Sequence, residues 1–497
     1  MMGARPNGYR VSAARTFAVL AGIAAAILVA WADTPLRNYG EYGARPAIAA
    51  AVTVLMSIWW LSEALPIYVT ACVPLVIYPF TSVFSASFGE NVWRSLVPYA
   101  DPYIFLFMGG MCIAAAMQQW DLHRRIALAI MRAIGAGPER LLAGFLAGTA
   151  FVSLWISNTA TATMMVPIGI AVIAHLESRL GNRRLQYYGG SIMLAIAYGS
   201  SVGGIGTKIG TAPNAQFAGF MALRGVEISF VQFLAVGLPF VLMMLPIVWW
   251  ALWRTGRHDA PPADAGGETL REEWESLGRV KHGEWVVLTV FVCAAALWIT
   301  GKPLGDVVKP YFTAFKLTSA HIEASIAMAA AFALLLWPVG RRRALEPRSL
   351  SLVPWETLLL LGGSFAMAAA IEASGLSLWL AEQLSRLRDL APFNQILLAS
   401  LTTVVLSAFA SNAATVAVML GVLADSVSAS HANSVLFAAT IAASCDFALP
   451  AGTPPNAIVF GSGYVTMRRM AKTGALLDVV GAVLAAAWCW LIVGRVF

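Results

Sequence analysis

The sequence predicts an all-α polytopic membrane protein, and three observations carry that prediction. Hydrophobic residues make up 59% of the 497 positions and charged residues only 12%, with mean hydropathy +0.72. A soluble domain carries roughly twice that share of charge. Apolar runs recur along the chain at lengths near the ~20 residues a helix needs to cross a bilayer. The short apolar–polar alternation of a membrane β-barrel is missing.

The elements follow in order. Met1 to Arg15 is basic and leads into an apolar run at 16–32. No small-residue cleavage site is convincing there, so the run reads as a first span and not as a removed signal peptide. Further apolar runs lie at 47–64, 66–81, 101–119, 141–175, 190–222, 231–253, 284–300, 320–338, 355–381, 393–424, 435–463 and 473–494. Several are too long for one crossing or look like hairpins that enter and return. About 11 transmembrane helices and two re-entrant hairpins account for them. Segment 120–135, "DLHRRIALAIMRAIGA", has cations and apolar residues at helical spacing and is expected along the membrane surface. The polar stretch Arg254 to Glu284 begins with Pro261, Pro262, Gly266 and Gly267, then offers "ETLREEWESLGRV" as a short surface helix.

Net charge is +7. In a soluble chain that balance points to nucleic acid. Here the cations cluster between apolar runs: Arg5, Arg10 and Arg15; His123 to Arg125; Arg183 and Arg184; Arg341 to Arg343; Arg468 and Arg469. That pattern signals orientation in the bilayer. Lipid headgroups, not nucleic acid, are the expected partners. The five cysteines, Cys72, Cys112, Cys293, Cys445 and Cys489, sit in apolar runs without metal-ligand spacing and read as reduced packing residues.

The chain repeats itself. "FMGGMCIAAAM" at 107–117 is matched by "LLGGSFAMAAA" at 360–370, "SNTATATMMVP" at 157–167 by "SNAATVAVML" at 411–420, and "GTAPNA" at 210–215 by "GTPPNA" at 452–457. Gly109 and Ser157 are 48 residues apart, Gly362 and Ser411 are 49. Internal repeats with polar breaks at matching positions are how many secondary transporters are built, and the breaks mark the binding site. If each copy has an odd number of crossings, the repeats lie inverted. The division expected is an N-terminal segment with the first span at 1–40, repeat 1 at 41–228, and repeat 2 at 229–497 with the polar linker 254–283.

Ser, Asn and Thr bring hydroxyls and a carboxamide, which serve as oxygen ligands to a small cation or as donors to an anion. A helix restarting at "SN" has free N–H groups and a positive dipole end, which suits an anion. The carbonyls ending the preceding half-helix suit Na⁺. In "GTAPN" and "GTPPN", proline disfavours helix before it and leaves the carbonyls of Gly210 and Gly452 without helical donors. Such groups persist in a bilayer only where ligand, protein or water satisfies them. The Gly109–Gly110 and Gly362–Gly363 pairs read as close packing at a hairpin tip.

These residues resemble the divalent-anion/sodium symporter family, which includes Na⁺-coupled dicarboxylate and citrate transporters. The likeness runs through "WWLSEALPIYVTACVPL", "MGGMCIAAAM", "ISNTATATMMVP", "GGIGTKIGTAPN", "SNAATVAVML" and "LPAGTPPNAIVFGSGY". The resemblance implies a homodimer with a scaffold region and a mobile transport region, working by an elevator movement. It implies a first sodium site at Ser153, Ser157, Asn158 and the Gly210 carbonyl, and a second at Ser407, Ala410, Asn412 and the Gly452 carbonyl. It implies substrate carboxylates at Ser157, Asn158, Thr159, Thr211, Ser411, Asn412, Thr453 and Pro454. Two departures stand out: Ala413 replaces a hydroxyl residue in the second motif, and Ala212 a proline in the first "TPPN".

Two charges fall beside the breaks, Lys208 and Asp446. A charge at mid-membrane costs ~2.5–3.5 kcal/mol on the insertion scale, so each needs protein, water or a partner. They are expected to approach each other or the pocket, Lys208 standing in for a cation or attracting an anion, and Asp446 binding or relaying a proton. A structural ion pair, or exposure at the membrane edge, is the other reading.

The leading expectation is import of C4-dicarboxylates of the succinate, malate or fumarate type, coupled to Na⁺ as the coupling ion and not as a prosthetic group. A Na⁺-independent dicarboxylate exchanger or a sulfate carrier is the alternative that Lys208 and Ala413 keep open. A channel needs a continuous polar path, and two local breaks suit a gated site better. No HExxH, GxSxG or P-loop motif appears, so neither an enzyme nor a nucleotide-driven pump is expected. The Ala-, Gly- and Arg-rich composition and short loops point to a bacterial inner membrane.

Overall fold

Proline, glycine and serine caps mark where the apolar runs bend. A computed structural model describes residues 13–32, 35–181, 184–262, 267–301 and 317–496; Arg5, Arg10, Arg183 and Gly266 lie outside them. The helices are α1 (Ala13–Trp31), α2 (Arg45–Leu61), α3 (Ile67–Ala71), α4 (Val73–Ile77), α5 (Phe88–Leu96), α6 (Pro102–Gln119), α7 (Leu122–Ile134), α8 (Pro138–Ser153), α9 (Asn158–Arg179), α10 (Gln186–Gly204), α11 (Ala212–Leu223) and α12 (Phe230–Gly256). They continue with α13 (Gly267–Ser276), α14 (His282–Ile299), α15 (Ser319–Leu336), α16 (Trp355–Ala373), α17 (Leu376–Gln383), α18 (Pro392–Ser407), α19 (Asn412–Leu423), α20 (Ala432–Ala443), α21 (Pro454–Gly461) and α22 (Met467–Val496). Among the described residues, eight helical stretches are long and apolar enough to cross a bilayer. The only strand pairing there joins Pro338–Val339 to Arg342–Arg343, so the all-α class holds. Arg343 of that turn donates to the Leu335 carbonyl at 2.9 Å and satisfies the end of α15.

The run 66–81 is not one helix. Pro66, Pro74 and Pro79 split it into α3, α4 and a 3₁₀ turn. The four over-long runs each break once, at 154–157, 205–211, 408–411 and 444–453. The order α6, α8, α9, α10, α11 recurs as α16, α18, α19, α20, α21, and a long helix, α12 or α22, follows each set.

The two sets interlock. α21 packs on α9 and α10, while α11 packs on α19 and α20. Each second half-helix therefore sits against the other repeat. Arg224 at the end of α11 bridges to Asp425 beyond α19 at 2.5 Å and ties the repeats once more.

The glycine pairs correct the hairpin-tip reading. They lie inside α6 and α16, where small residues let helices touch. A Cβ on Gly109 would meet the Ala327 backbone of α15, and one on Gly363 the Ala71 backbone of α3. A close backbone approach joins α10 to α8: a Cβ on Gly203 would strike the backbone of Ala150, with its Cα at 2.6 Å and its carbonyl carbon at 2.7 Å. Backbone cannot move aside as a side chain can. Gly203→Ala is expected to cost about 1–3 kcal/mol, the range for overpacking, read as a lower midpoint of thermal unfolding in detergent. An unchanged midpoint would mean α8 and α10 do not meet this closely.

The amphipathic segment forms α7, with Leu122, Ala127, Leu128 and Met131 buried. The polar linker supplies α13, which docks on α7. Arg124 pairs with Glu273, Arg125 holds the buried Glu284 at 2.5 Å, and the Arg132 guanidinium stacks 4.7 Å from the Trp274 ring centre. The linker is thus a built surface element beyond its Pro–Gly start.

Candidate functional site

The two breaks at the SN motifs are built alike. Ser157 caps α9 and its Oγ accepts from the Ala160 N–H at 3.4 Å; Ser411 caps α19 and accepts from Ala414 at 3.2 Å. Ser153 Oγ lies 2.8 Å from Asn158 Oδ1 and 2.7 Å from the Ser200 carbonyl. Ser407 Oγ lies 3.0 Å from Asn412 Oδ1 and 2.8 Å from the Ala443 carbonyl. One serine thus orients each asparagine and joins it to the end of the neighbouring half-helix.

The GT motifs form the facing breaks. Asn214 Nδ2 donates to the carbonyls of Thr207 at 2.6 Å and Gly204 at 2.9 Å. Asn456 Nδ2 donates to those of Leu449 at 3.0 Å and Asp446 at 3.1 Å. The asparagine of each "PN" therefore satisfies the unwound backbone before it, as a buried break requires. At the first break a Cβ on Gly204 would run into the Asn158 carboxamide, and one on Gly210 into the Gly204 backbone. Asn158, Gly204 and Gly210 are thus immediate neighbours, with the buried Ser153 behind them. Hydroxyl, amide and carbonyl oxygens are the hard donors that suit a small cation such as Na⁺.

All eight residues expected to meet substrate line one cavity of about 670 Å³, together with Gly210 and Gly452. Ser153, Ser407 and Ala410 lie buried behind its wall. The first residues of α9, α11, α19 and α21 all face it, so four helix N-termini converge on one space. Among the described residues no lysine or arginine lines it.

Lys208 and Asp446 do not meet. Lys208 Nζ pairs with Glu323 of α15 at 2.7 Å, both side chains fully buried, and lies over the Tyr103 ring. Glu323 also accepts from the Phe230 N–H at 2.5 Å, at the start of α12. The Lys208 charge is neutralised away from the cavity. Asp446 lies directly behind Gly452.

Sequence reasoning missed the opposite wall. Phe107 and Gln118 of α6, His123 of α7, and Ser351, Leu352, Pro354 and Thr357 before and within α16 close the cavity. His123 Nδ1 donates to the Met117 carbonyl at 3.1 Å. Burial lowers its pKa, so the imidazole faces the cavity neutral at pH 7. A lone histidine among arginines gave no spacing signal; only the fold brings it here.

A polytopic helical bundle, two interlocked repeats and a central pocket of broken-helix ends define a secondary transporter. Residues 42–496 match the sequence profile of the sodium:sulfate symporter transmembrane region. The chain belongs to that family, the divalent-anion/sodium symporters, whose members are transporters and not enzymes. It is similar to the sodium-dependent dicarboxylate transporter SdcS of Staphylococcus aureus strain USA300, at 36% identity over 87% of this chain and 83% of that protein. The SdcS of strain NCTC 8325 matches equally. The fold is similar to the YdaH transporter of Alcanivorax borkumensis, whose crystal structure revealed an unusual topology: TM-score 0.52, 14% identity, 88% of this chain and 98% of that one.

Proposed function

We propose that this protein imports small dicarboxylates, of the succinate, malate or fumarate type, coupled to Na⁺ across a bacterial inner membrane. The observation that carries this reading is the convergence of four helix N-termini on one cavity that no lysine or arginine lines among the described residues. Helix ends and hydroxyls hold an anion without fixed positive charge, so cations bound at the breaks complete its binding. Linkage then makes each ligand strengthen the other. The 36% identity to a protein named a sodium-dependent dicarboxylate transporter supports the same substrate and ion.

In this reading Ser153, Ser157, Asn158 and the Gly210 carbonyl hold one Na⁺, and Ser407, Ala410, Asn412 and the Gly452 carbonyl a second. Ser157, Asn158, Thr159, Thr211, Ser411, Asn412, Thr453 and Pro454 meet the carboxylates. Repeats 41–228 and 229–497 lie inverted after the segment 1–40, a homodimer supplies the scaffold, and the pocket crosses by an elevator movement. Exchange without Na⁺, or sulfate as cargo, is the second reading, favoured by Ala413, which removes one hydroxyl from the second motif.

Radiolabelled succinate uptake into proteoliposomes decides between them. Uptake with an inward Na⁺ gradient and none with K⁺ is the expected result. Uptake that ignores Na⁺ but needs internal dicarboxylate would overturn the coupling, and sulfate uptake without succinate uptake would overturn the substrate.

A further inference from the structure

The two breaks differ in one residue that their shared geometry makes conspicuous. Gly204 stands six residues before Gly210, and Asp446 six before Gly452. The carbonyl of each accepts from the asparagine of its own "PN", so the positions correspond. A side chain built at Gly204 would point into the Asn158 carboxamide. Asp446 carries such a side chain in the second repeat. It is fully buried, and its carboxylate sits against Gly452, where an added Cβ would come within 2.5 Å of Cγ and 2.7 Å of Oδ1.

Neither Asp446 oxygen has a hydrogen-bond partner among the described residues. Ser444 Oγ on the same break and Asn456 Oδ1 in the first turn of α21, equally buried, have none either. The second carboxylate nearby, Asp478, is engaged by the Phe447 N–H at 2.7 Å, and Lys208 is committed to Glu323. A buried carboxylate without partner or donor is strongly unfavourable. Carboxylate, hydroxyl and amide oxygens left without partners are the donor types that suit a hard monovalent cation.

We propose that Asp446 supplies a carboxylate ligand to the cation at the second break, which makes that site anionic where the first is built from neutral oxygens alone. This rests on the two-site reading above. The second site then holds Na⁺ in the absence of substrate, while the first depends on the anion for its charge balance. The repeats bind their ions unequally, and ion binding is ordered, second break first.

Equilibrium ²²Na⁺ binding to detergent-purified protein without substrate tests this, with Asp446→Asn and Asp446→Ala beside Ser407→Ala. Wild type is expected to show one site tighter than the other. Both Asp446 variants are expected to weaken the tighter site by about tenfold or more, as loss of a full charge at contact distance implies. In Na⁺-free buffer Asp446→Asn is expected to melt higher than wild type, because the orphaned charge is gone, and to lose most of the Na⁺-induced rise in Tm. A purely structural Asp446 would melt lower when replaced. Should Asp446→Ala fail to fold, the isosteric Asp446→Asn carries the test. Na⁺ affinity within twofold of wild type in the Asp446 variants, with Ser407→Ala weakened, would overturn the proposal and leave the two-site reading standing. Unchanged binding in all three variants would overturn both.

Discussion

Asn158→Ala and Asn412→Ala are each expected to raise the Na⁺ concentration for half-maximal uptake by about 10- to 100-fold. The magnitude follows from one hydrogen bond or ligand bond to a charged group, roughly 1.5–3 kcal/mol, at 1.4 kcal/mol per tenfold. The direction follows from position. Each asparagine is the first residue of a half-helix, faces the cavity, and has its Oδ1 fixed by a buried serine, Ser153 at 2.8 Å or Ser407 at 3.0 Å. Alanine keeps the helix start, since the cap belongs to Ser157 or Ser411. The loss therefore falls on ligand binding and not on the fold. Linkage requires the apparent KM for succinate to rise with the Na⁺ constant. Na⁺ titrations of proteoliposome uptake at several succinate concentrations measure both. A higher succinate KM with an unchanged Na⁺ constant would make the asparagines substrate ligands only. No change in either would remove them from the site.

The breaks were legible because a bilayer punishes unpaired backbone. Serine before asparagine, and proline after glycine, are intelligible in an apolar run only as an interruption with a purpose, and finding each twice fixed which interruptions belong together. The α10–α11 and α20–α21 breaks fell where Gly210 and Gly452 placed them. The partner of Lys208 was not legible. Glu323 lies 115 residues away, and no spacing rule links the two. Yet an acid in the apolar run 320–338 was itself a signal, since it needs a partner for the same reason that Lys208 does. Matching the intramembrane charges as a set would have offered Glu323 as the partner of Lys208. The far wall of the cavity, with Gln118, His123 and Thr357, depends on how α6, α7 and α16 pack against the breaks. Those contacts carry no local pattern, because each residue serves an ordinary helix position in its own element.

Glu323→Ala is expected to be the most destabilising single change outside the cavity, at about 3–5 kcal/mol, the range for removing one member of a buried ion pair. It leaves Lys208 charged and buried without its ion-pair partner, over the Tyr103 ring at 5.2 Å from Nζ to its centre, and also strips the Phe230 N–H of its acceptor. Lys208→Met is expected to cost less. Glu323 then still accepts from the first N–H of α12 at 2.5 Å, where the helix dipole favours a carboxylate. The double variant Lys208→Met with Glu323→Leu is expected to recover most of the loss, because well-packed apolar residues replace buried ion pairs at little net cost. Thermal unfolding of wild type, Lys208→Met, Glu323→Leu and the double variant closes the cycle that gives the coupling energy. Additive losses would mean that the two side chains do not interact. Uptake by the double variant then separates fold from function. Lys208 lies two residues before Gly210, so if its charge also tunes the first break, Na⁺ dependence stays altered after stability returns. If the pair only anchors that break to α15 and α12, stability and Na⁺-coupled uptake return together.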